Sequence, residues 1–469
     1  MAKTPQSFDL IVLGGGTGGY VAAIHAAQLG LNTALVEAGK VGGTCLHRGC
    51  IPTKALLETA HVLHTVKHRA DFGVTGQDAA LDYPKVMSRK DKVVTQLWRG
   101  VQFLLKKHNV TVVEGWGRLT GPQQVTVASA SETRVLEARD ILVATGSVPR
   151  ELPALPFDGK RILSSDHVLE RGEVPSSVLI LGAGAIGVEF ASMYNDFGAD
   201  VTLVEMLPHI LPQDDADVAQ ELAKLLSRRG VKILAGSRFD LDSVESTDDG
   251  VTARVTPAKG EPVTVAGSVL LVAVGRQAVV GDIGLETAGV AVERGFIRVD
   301  GHYRTSAPHV YAIGDVIGGD LLAHVAAHEG MIAVEAMAGK DPELLDPNRI
   351  PRVTYSRPEV ASVGLTAEQA EQAGFSVKVG VFPFKANGRS LILGESDGMV
   401  KLVADKESDV LLGAHIIGPR ASDLINEMAL AKFLEGTAWE VAESVHAHPT
   451  VSEVLHEAGL AVDGMAIHV

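Results

Sequence analysis

The sequence predicts an α/β protein built on two β-α-β units with a further C-terminal region, and three observations carry that expectation. A glycine-rich turn occurs twice, at residues 14–19 and 182–187, each time between a strand-like and a helix-like segment. In each copy a glutamate follows the first glycine by 23 residues, Glu37 in one and Glu205 in the other. The chain has 469 residues, room for about three domains at roughly 100 to 200 residues each.

Element by element, the first unit reads as a strand from Phe8 to Leu13, the turn Gly14-Gly15-Gly16-Thr17-Gly18-Gly19, an alanine-rich helix to about Leu29 and a strand from Thr33 to Glu37. The second reads as a strand from Ser177 to Leu181, the turn Gly182-Ala183-Gly184-Ala185-Ile186-Gly187, a helix to about Phe197 and a strand from Asp200 to Glu205. Either turn taken singly is equally a tight turn with no ligand. Two copies of G-x-G-x-x-G in strand and helix context, each closed by an acid about 20 residues on, are the fingerprint of a Rossmann-like dinucleotide site. Glycines let the backbone approach a pyrophosphate, the helix N-terminus faces its charge, and the acid accepts from a ribose hydroxyl. Two such units in one polypeptide suggest electron transfer between two dinucleotides.

Prolines mark the boundaries. The run from Pro149 to Pro156 precedes the second unit, and the stretch from Asp341 to Pro351 precedes a C-terminal region of about 120 residues. The polar, acidic segment from Asp240 to Pro262 reads as hairpins on the second domain.

Composition excludes several classes. With 42 Lys plus Arg against 57 Asp plus Glu, the net charge is −15, which disfavours nucleic acid and anionic membrane as partners. Leu10 to Val36 holds no charged residue, but its six glycines, with His25, Gln28 and Asn32, suit a buried strand, turn and helix rather than a membrane span. Lys3, Pro5 and Gln6 ahead of Asp9 do not read as a secretory or transit signal, so the cytoplasm is expected.

Only two cysteines occur, Cys45 and Cys50, too few for a secreted disulfide framework. Five residues of regular helix rise about 7.5 Å and turn roughly 140°, beyond comfortable disulfide reach. A bridge therefore requires irregular backbone, which Gly42, Gly43 and Gly49 permit. As a structural staple so short a loop contributes only about 2 kcal/mol. A redox dithiol is the sharper reading, beside a staple or two unpaired core cysteines; Arg48 either lowers a thiol pKa or is a plain exposed arginine.

The run Gly42-Gly43-Thr44-Cys45-Leu46-His47-Arg48-Gly49-Cys50-Ile51-Pro52-Thr53-Lys54 resembles the active-site motif of the flavin-dependent pyridine nucleotide disulfide oxidoreductases. The resemblance covers essentially the whole chain: both glycine turns, Ala144-Thr145-Gly146, Ala312-Ile313-Gly314-Asp315, and residues 446–453, His-Ala-His-Pro-Thr-Val-Ser-Glu. It implies an FAD-binding domain at 1–148, an NAD-binding domain at 149–275, a central segment at 276–347 completing the FAD domain, and a C-terminal α+β dimerisation domain at 348–469. For FAD it implies contacts from Gly14, Gly16, Gly19, Glu37, Thr44, Lys54, Thr145, Gly146 and Asp315; a helix N-cap is the plainer role for Asp315. For the nicotinamide dinucleotide it implies Gly182, Gly184, Gly187, Glu189, Glu205 and Gly275, with Glu189 pairing with Lys54 beside the flavin. Glu205, with no arginine before Arg228, favours NAD over NADP, because a carboxylate repels a 2′-phosphate that an arginine would bind.

By the same resemblance Cys45 is the interchange thiol, Cys50 the thiolate against the flavin, His448 the base and Glu453 its orienting acid, while His446 is a weaker candidate for the base. A histidine held by a carboxylate suits proton transfer near neutral pH. The family commonly has Asn-Val where this chain has His47-Arg48, a departure that bears on thiol acidity or docking. The expected reaction is oxidation of protein-bound dihydrolipoamide, with electrons passing through the dithiol and FAD to NAD+. The lipoyl group is expected on another chain, of a 2-oxo acid dehydrogenase or glycine cleavage system. A homodimer is expected, with His448 of one subunit serving Cys45 of the other. Rival readings are an NAD(P)H-dependent reductase of glutathione or another small disulfide, and a noncatalytic flavoprotein acting as redox sensor or scaffold.

Overall fold

The computed structural model describes residues 6–77 and 79–469; Lys3 and Pro5 lie outside them. The chain forms two compact units, one of Met1–Ala55, Lys85–Arg150 and Arg276–Leu345, the other of Leu56–Pro84, Glu151–Gly275 and Asp346–Val469.

In the first unit four strands run parallel in the order Thr111–Glu114, Thr33–Glu37, Gln6–Leu13 and Thr133–Val143, and Val310–Ala312 adds beside the last. Gln124–Ala128 and Trp116–Gly121 extend the sheet antiparallel. Alternate side chains of the first strand enter two cores: Ile11 and Leu13 pack with Val36 and Val143, Leu10 and Val12 with Leu35, Leu142 and the helix residues Ala22, Ala23 and Ala26. A parallel sheet covered on both faces accounts for the charge-free run, and each fully buried aliphatic contributes about 1.5–3 kcal/mol. Helix Thr17–Gln28 lies against Ala323–Met337 across small residues: a Cβ on Gly330 would fall 3.0 Å from the Gly18 carbonyl oxygen.

The second unit holds three sheets. A parallel one runs Lys232–Leu234, Asp200–Val204, Ser177–Leu181, Val269–Val272 and Ile162–Leu163. The segment read as hairpins is a three-stranded antiparallel sheet, Arg238–Thr247, Gly250–Thr256 and Val263–Gly267. A five-stranded antiparallel sheet follows in the order Arg352–Thr354, Glu359–Gly364, Leu411–Gly418, Met399–Asp405 and Val377–Pro383. Helices Ala421–Phe433 and Glu453–Val462 bury Leu424, Ile425, Met428, Leu455 and Ala458 against it. Among the described residues no helix is long and apolar enough to cross a membrane.

Candidate active site

The two glycine turns are built alike. Gly14 and Gly182 adopt φ of +108° and +100°, and a Cβ on either would strike a backbone oxygen, Ala144 O at 2.3 Å or Ala273 O at 2.5 Å. Gly19 and Gly187 each bring the helix so close that a Cβ would fall 1.9 Å from the carbonyl oxygen of the turn's first glycine. The middle glycines differ: a Cβ on Gly16 or Gly184 would meet nothing within 4 Å. Both are N-cap residues with no side chain to satisfy the first helical N–H groups, so each turn leaves bare donors and open space, as a dinucleotide pyrophosphate requires.

The closing acids are held alike too. Glu37 Oε2 accepts from Gly15 N at 2.7 Å and Oε1 from Gly39 N at 2.7 Å. Glu205, just beyond the end of its strand, accepts from Ala183 N at 2.7 Å and Leu207 N at 2.9 Å. Each oxygen keeps a second lone pair free for a hydroxyl. Gly146 and Gly275, both at positive φ, face open space as well, and Thr145 Oγ1 donates to Val279 O at 2.7 Å. Glu189 is buried, its Oε1 accepting from Tyr355 N at 2.9 Å.

The cysteine segment docks on the first turn: Gly42 N donates to Gly15 O at 2.7 Å, and a Cβ on Gly43 would lie 2.6 Å from Gly16 Cα. Helix Gly43–Arg48, which carries Thr44, stops at Gly49, and a new helix, Cys50–Lys67, begins with the second cysteine. That break is the irregular backbone a working thiol pair needs. Both cysteines are free thiols, hydrogen bonded to each other. The Cys50 contact and burial push the Cys45 thiol up, opposed by the Thr17 hydroxyl and the positive charge of Lys54. Cys50 opens its helix, where the dipole favours negative charge. His47 bonds the Val41 carbonyl at 3.0 Å and meets Trp98 edge-on, so it anchors this segment; Arg48 is exposed.

Asp315 sits inside the 3-10 turn Gly314–Ile317, whose N-cap is Ile313, so the helix-cap reading does not hold. It accepts from the Ser147 hydroxyl and pairs with Arg276 Nε at 3.7 Å, and Arg276 also binds Ser147 Oγ at 2.6 Å. Beneath it Glu329, buried, accepts from Gly314 N at 2.6 Å. Burial, with Asp315 and Asp320 nearby, raises the Glu329 carboxyl to about 7 against the pull of the Gly314 N–H.

In the second unit His448 Nδ1 lies 2.8 Å from Glu453 Oε1, and Glu453 Oε2 accepts from Thr450 N at 2.8 Å. Burial raises the Glu453 carboxyl, but the Thr450 N–H and His448 outweigh it and the net shift is downward. The His448 side chain is 80% exposed, and its Nδ1 is the nitrogen that Glu453 engages. His446 is engaged at both nitrogens, by Glu427 at 2.9 Å and the Ser444 carbonyl at 2.9 Å, which leaves it no free lone pair for a base.

The family profile described as pyridine nucleotide-disulphide oxidoreductase matches residues 8–330, and the dimerisation domain of the same family matches 350–459. The chain belongs to this family. The second match is to the family's dimerisation domain, and the chain forms a homodimer. Among relatives of the family, a dihydrolipoyl dehydrogenase of Bacillus subtilis is 48% identical over 98% of this chain and 99% of its own, and one of Zymomonas mobilis is 48% identical over 98% and 99%. Among solved structures, LpdA from Mycobacterium tuberculosis superposes with a TM-score of 0.88 at 29% identity, covering 97% of this chain and 99% of its own. The HOCl-induced flavoprotein disulfide reductase RclA from Escherichia coli gives 0.86 at 26% identity, covering 97% and 99%.

Sequence reasoning missed Thr17, Ser147, Arg276 and Glu329. Thr17 lies inside the first fingerprint at the first helical position, where a hydroxyl is a readable signal; the other three become visible only when two distant strands and the helix Ala323–Met337 come together.

Proposed function

We propose that the chain is a dihydrolipoyl dehydrogenase, oxidising dihydrolipoyl groups carried by another protein of a 2-oxo acid dehydrogenase or glycine cleavage system, in the cytoplasm. The observation that carries this reading is the free Cys45 and Cys50 pair, split across Gly49 and docked on a dinucleotide turn. FAD would be held by Gly14, Gly16, Gly19, Glu37, Thr44, Lys54, Thr145, Gly146 and Asp315, and NAD by Gly182, Gly184, Gly187, Glu189, Glu205 and Gly275. When bound, these cofactors carry two electrons away from the dithiol and on to NAD+.

The protein's own groups supply thiol and proton chemistry. With Cys45 and Cys50 oxidised to a disulfide, a substrate thiolate attacks the Cys45 sulfur; one S–S bond breaks, a mixed disulfide forms, and Cys50 leaves as thiolate, steadied by the helix N-terminus. The second substrate thiolate then attacks its own mixed-disulfide sulfur: that S–S bond breaks, the substrate disulfide forms, and Cys45 leaves as thiolate and takes up a proton released by the substrate thiols. His448, its Nδ1–H donated to Glu453, accepts the substrate thiol proton at Nε2.

Steady-state kinetics of the purified protein with dihydrolipoamide against glutathione, each with NAD and NADP, test the proposal. Turnover is expected with dihydrolipoamide and NAD+. Preference for glutathione with NADPH would replace this reading by a small-disulfide reductase, and no turnover with either by a noncatalytic flavoprotein.

A further inference from the structure

A row of polar side chains crosses the C-terminal antiparallel sheet. Arg352 is opposite Ser362, Ser362 opposite His415, and His415 opposite Lys401, so four adjacent strands place polar residues on one face. Ser362, His415 and Lys401 are buried. Such a row in a sheet core costs free energy unless its groups are paired.

Its partners come from the dinucleotide-binding part of the same compact unit. Ser362 Oγ donates to Asp214 Oδ1 at 2.9 Å, and Lys401 Nζ reaches Asp215 at 2.9 and 3.0 Å and Asp217 at 2.6 Å. Arg352 adds its charge near Asp214. Asp215 also caps helix Ala216–Arg228 through Asp217 N at 3.1 Å. Burial pulls the Lys401 ammonium down, but the two aspartates outweigh it and raise it overall, so the ion pair persists across the physiological range.

The aspartates end a short segment that begins at Glu205, and it is tied at both ends. Asp214 N donates to Leu211 O at 2.9 Å, and Leu211 N donates to Ala183 O at 2.8 Å. Ala183 is the residue whose own N–H binds Glu205 in the second glycine turn. Leu211 is buried and adopts φ +46°, a conformation a leucine keeps only where its surroundings impose it. Ion pairs, helix cap, Leu211 and Ala183 thus form one chain of contacts from the C-terminal sheet to the nicotinamide dinucleotide turn.

We propose that Lys401 is a positioning residue for NAD, acting through Asp215, Asp217, Leu211 and Ala183 to hold the second glycine turn and Glu205 in their binding geometry. The inference rests on the reading that this turn binds NAD. It makes the C-terminal domain a determinant of nicotinamide affinity as well as of pairing.

The test uses the full-length, FAD-loaded dimer. In Lys401→Met the Kd for NADH by fluorescence titration and the KM for NAD+ should rise about three- to tenfold, the scale of coupling through a packed network. The kcat at saturating NAD+, the FAD content and the rate of flavin reduction by dihydrolipoamide should stay near wild type. Because Lys401→Met leaves Asp215 buried and unpaired, two milder variants accompany it: Ser362→Ala, and Lys401→Met combined with Asp215→Asn, which preserves the helix cap. A weakened NADH affinity in whichever variants fold supports the inference. A lowered Tm with unchanged Kd for NADH in all that fold overturns it, leaving the network as a staple alone. Failure of the underlying reading looks different: the wild-type protein would then bind no NADH, and Glu205→Gln would change nothing.

Discussion

His448 Nδ1 and Glu453 Oε1 are 2.8 Å apart, and the second oxygen of Glu453 is taken by the Thr450 N–H. The carboxylate is therefore fixed before it fixes the imidazole, and the exposed ring presents one defined nitrogen. His448→Gln should lower dihydrolipoamide oxidation by roughly 100- to 10,000-fold, the usual contribution of a general base. Stopped-flow reduction of the flavin by NADH should be almost unchanged, since that half-reaction removes no thiol proton. Equal loss of both half-reactions would point to misfolding. Glu453→Gln should cost less than His448→Gln, because the imidazole remains while one of the two carboxylate acceptors and the charge are lost.

Glu205, which we propose selects between NAD and NADP, is also a structural acceptor for Ala183 and Leu207. Removing it altogether would leave two backbone donors unsatisfied, at about 1–3 kcal/mol each. Glu205→Gln removes the charge while keeping the size and one of the two acceptors, so its structural cost is confined to one backbone donor. Wild-type protein should prefer NAD over NADP by at least about tenfold in kcat/KM, equivalent to about 1.4 kcal/mol, and Glu205→Gln should narrow that ratio with a smaller loss of Tm than Glu205→Ala, which strips both acceptors. Equal efficiency of the wild type with both cofactors would rule out the carboxylate as the selector.

How much of this was legible beforehand depended on whether a feature is local. The strands Thr33–Glu37 and Ser177–Leu181 fall where short continuous apolar runs and flanking glycines put them, and the glycine turns are legible because each turn belongs to one short unit. Gly49 illustrates the limit: the sequence required an irregular backbone between the cysteines without saying that two helices would meet there. Asp315 reads in sequence as a cofactor contact with a helix cap as the alternative, left open because the Ser147 and Arg276 contacts come from 168 positions away and from a separate strand. The row through Arg352, Ser362, His415 and Lys401 exists only once four strands take their register.

The thiol pair gives a prediction about reactivity. The Cys50 contact is the largest influence raising Cys45, and Lys54 opposes it. In reduced protein Cys50→Ser should therefore speed alkylation of Cys45 by iodoacetamide at pH 7, and Lys54→Met should slow it, because the thiolate is the reacting form. Mass spectrometry of the Cys45 peptide over time measures both rates. A slower reaction in Cys50→Ser would mean that Cys50 activates Cys45 rather than holding its proton in place.

Glu329 connects pH to stability. Its carboxyl, raised to about 7 from an ordinary 4.5, keeps a proton in the folded chain that the unfolded chain has already released. Between those values the folded state binds more protons, so stability is fully present below about pH 4.5 and falls as pH rises, until the loss is complete above about 7. At about 1.4 kcal/mol per pH unit, the loss from this one group reaches up to about 3 kcal/mol. Glu329→Gln still accepts the Gly314 N–H and never ionises. Its Tm should match wild type near pH 5 and exceed it by a margin that grows up to pH 8, measured on the FAD-loaded protein by thermal unfolding in a buffer series. Because Gly314 and Asp315 form the turn above this carboxyl, chaotrope-induced release of FAD should become less dependent on pH in the same variant. A difference in Tm that stays constant from pH 5 to 8 would show that Glu329 does not titrate in the folded protein and that its role is confined to accepting the Gly314 N–H.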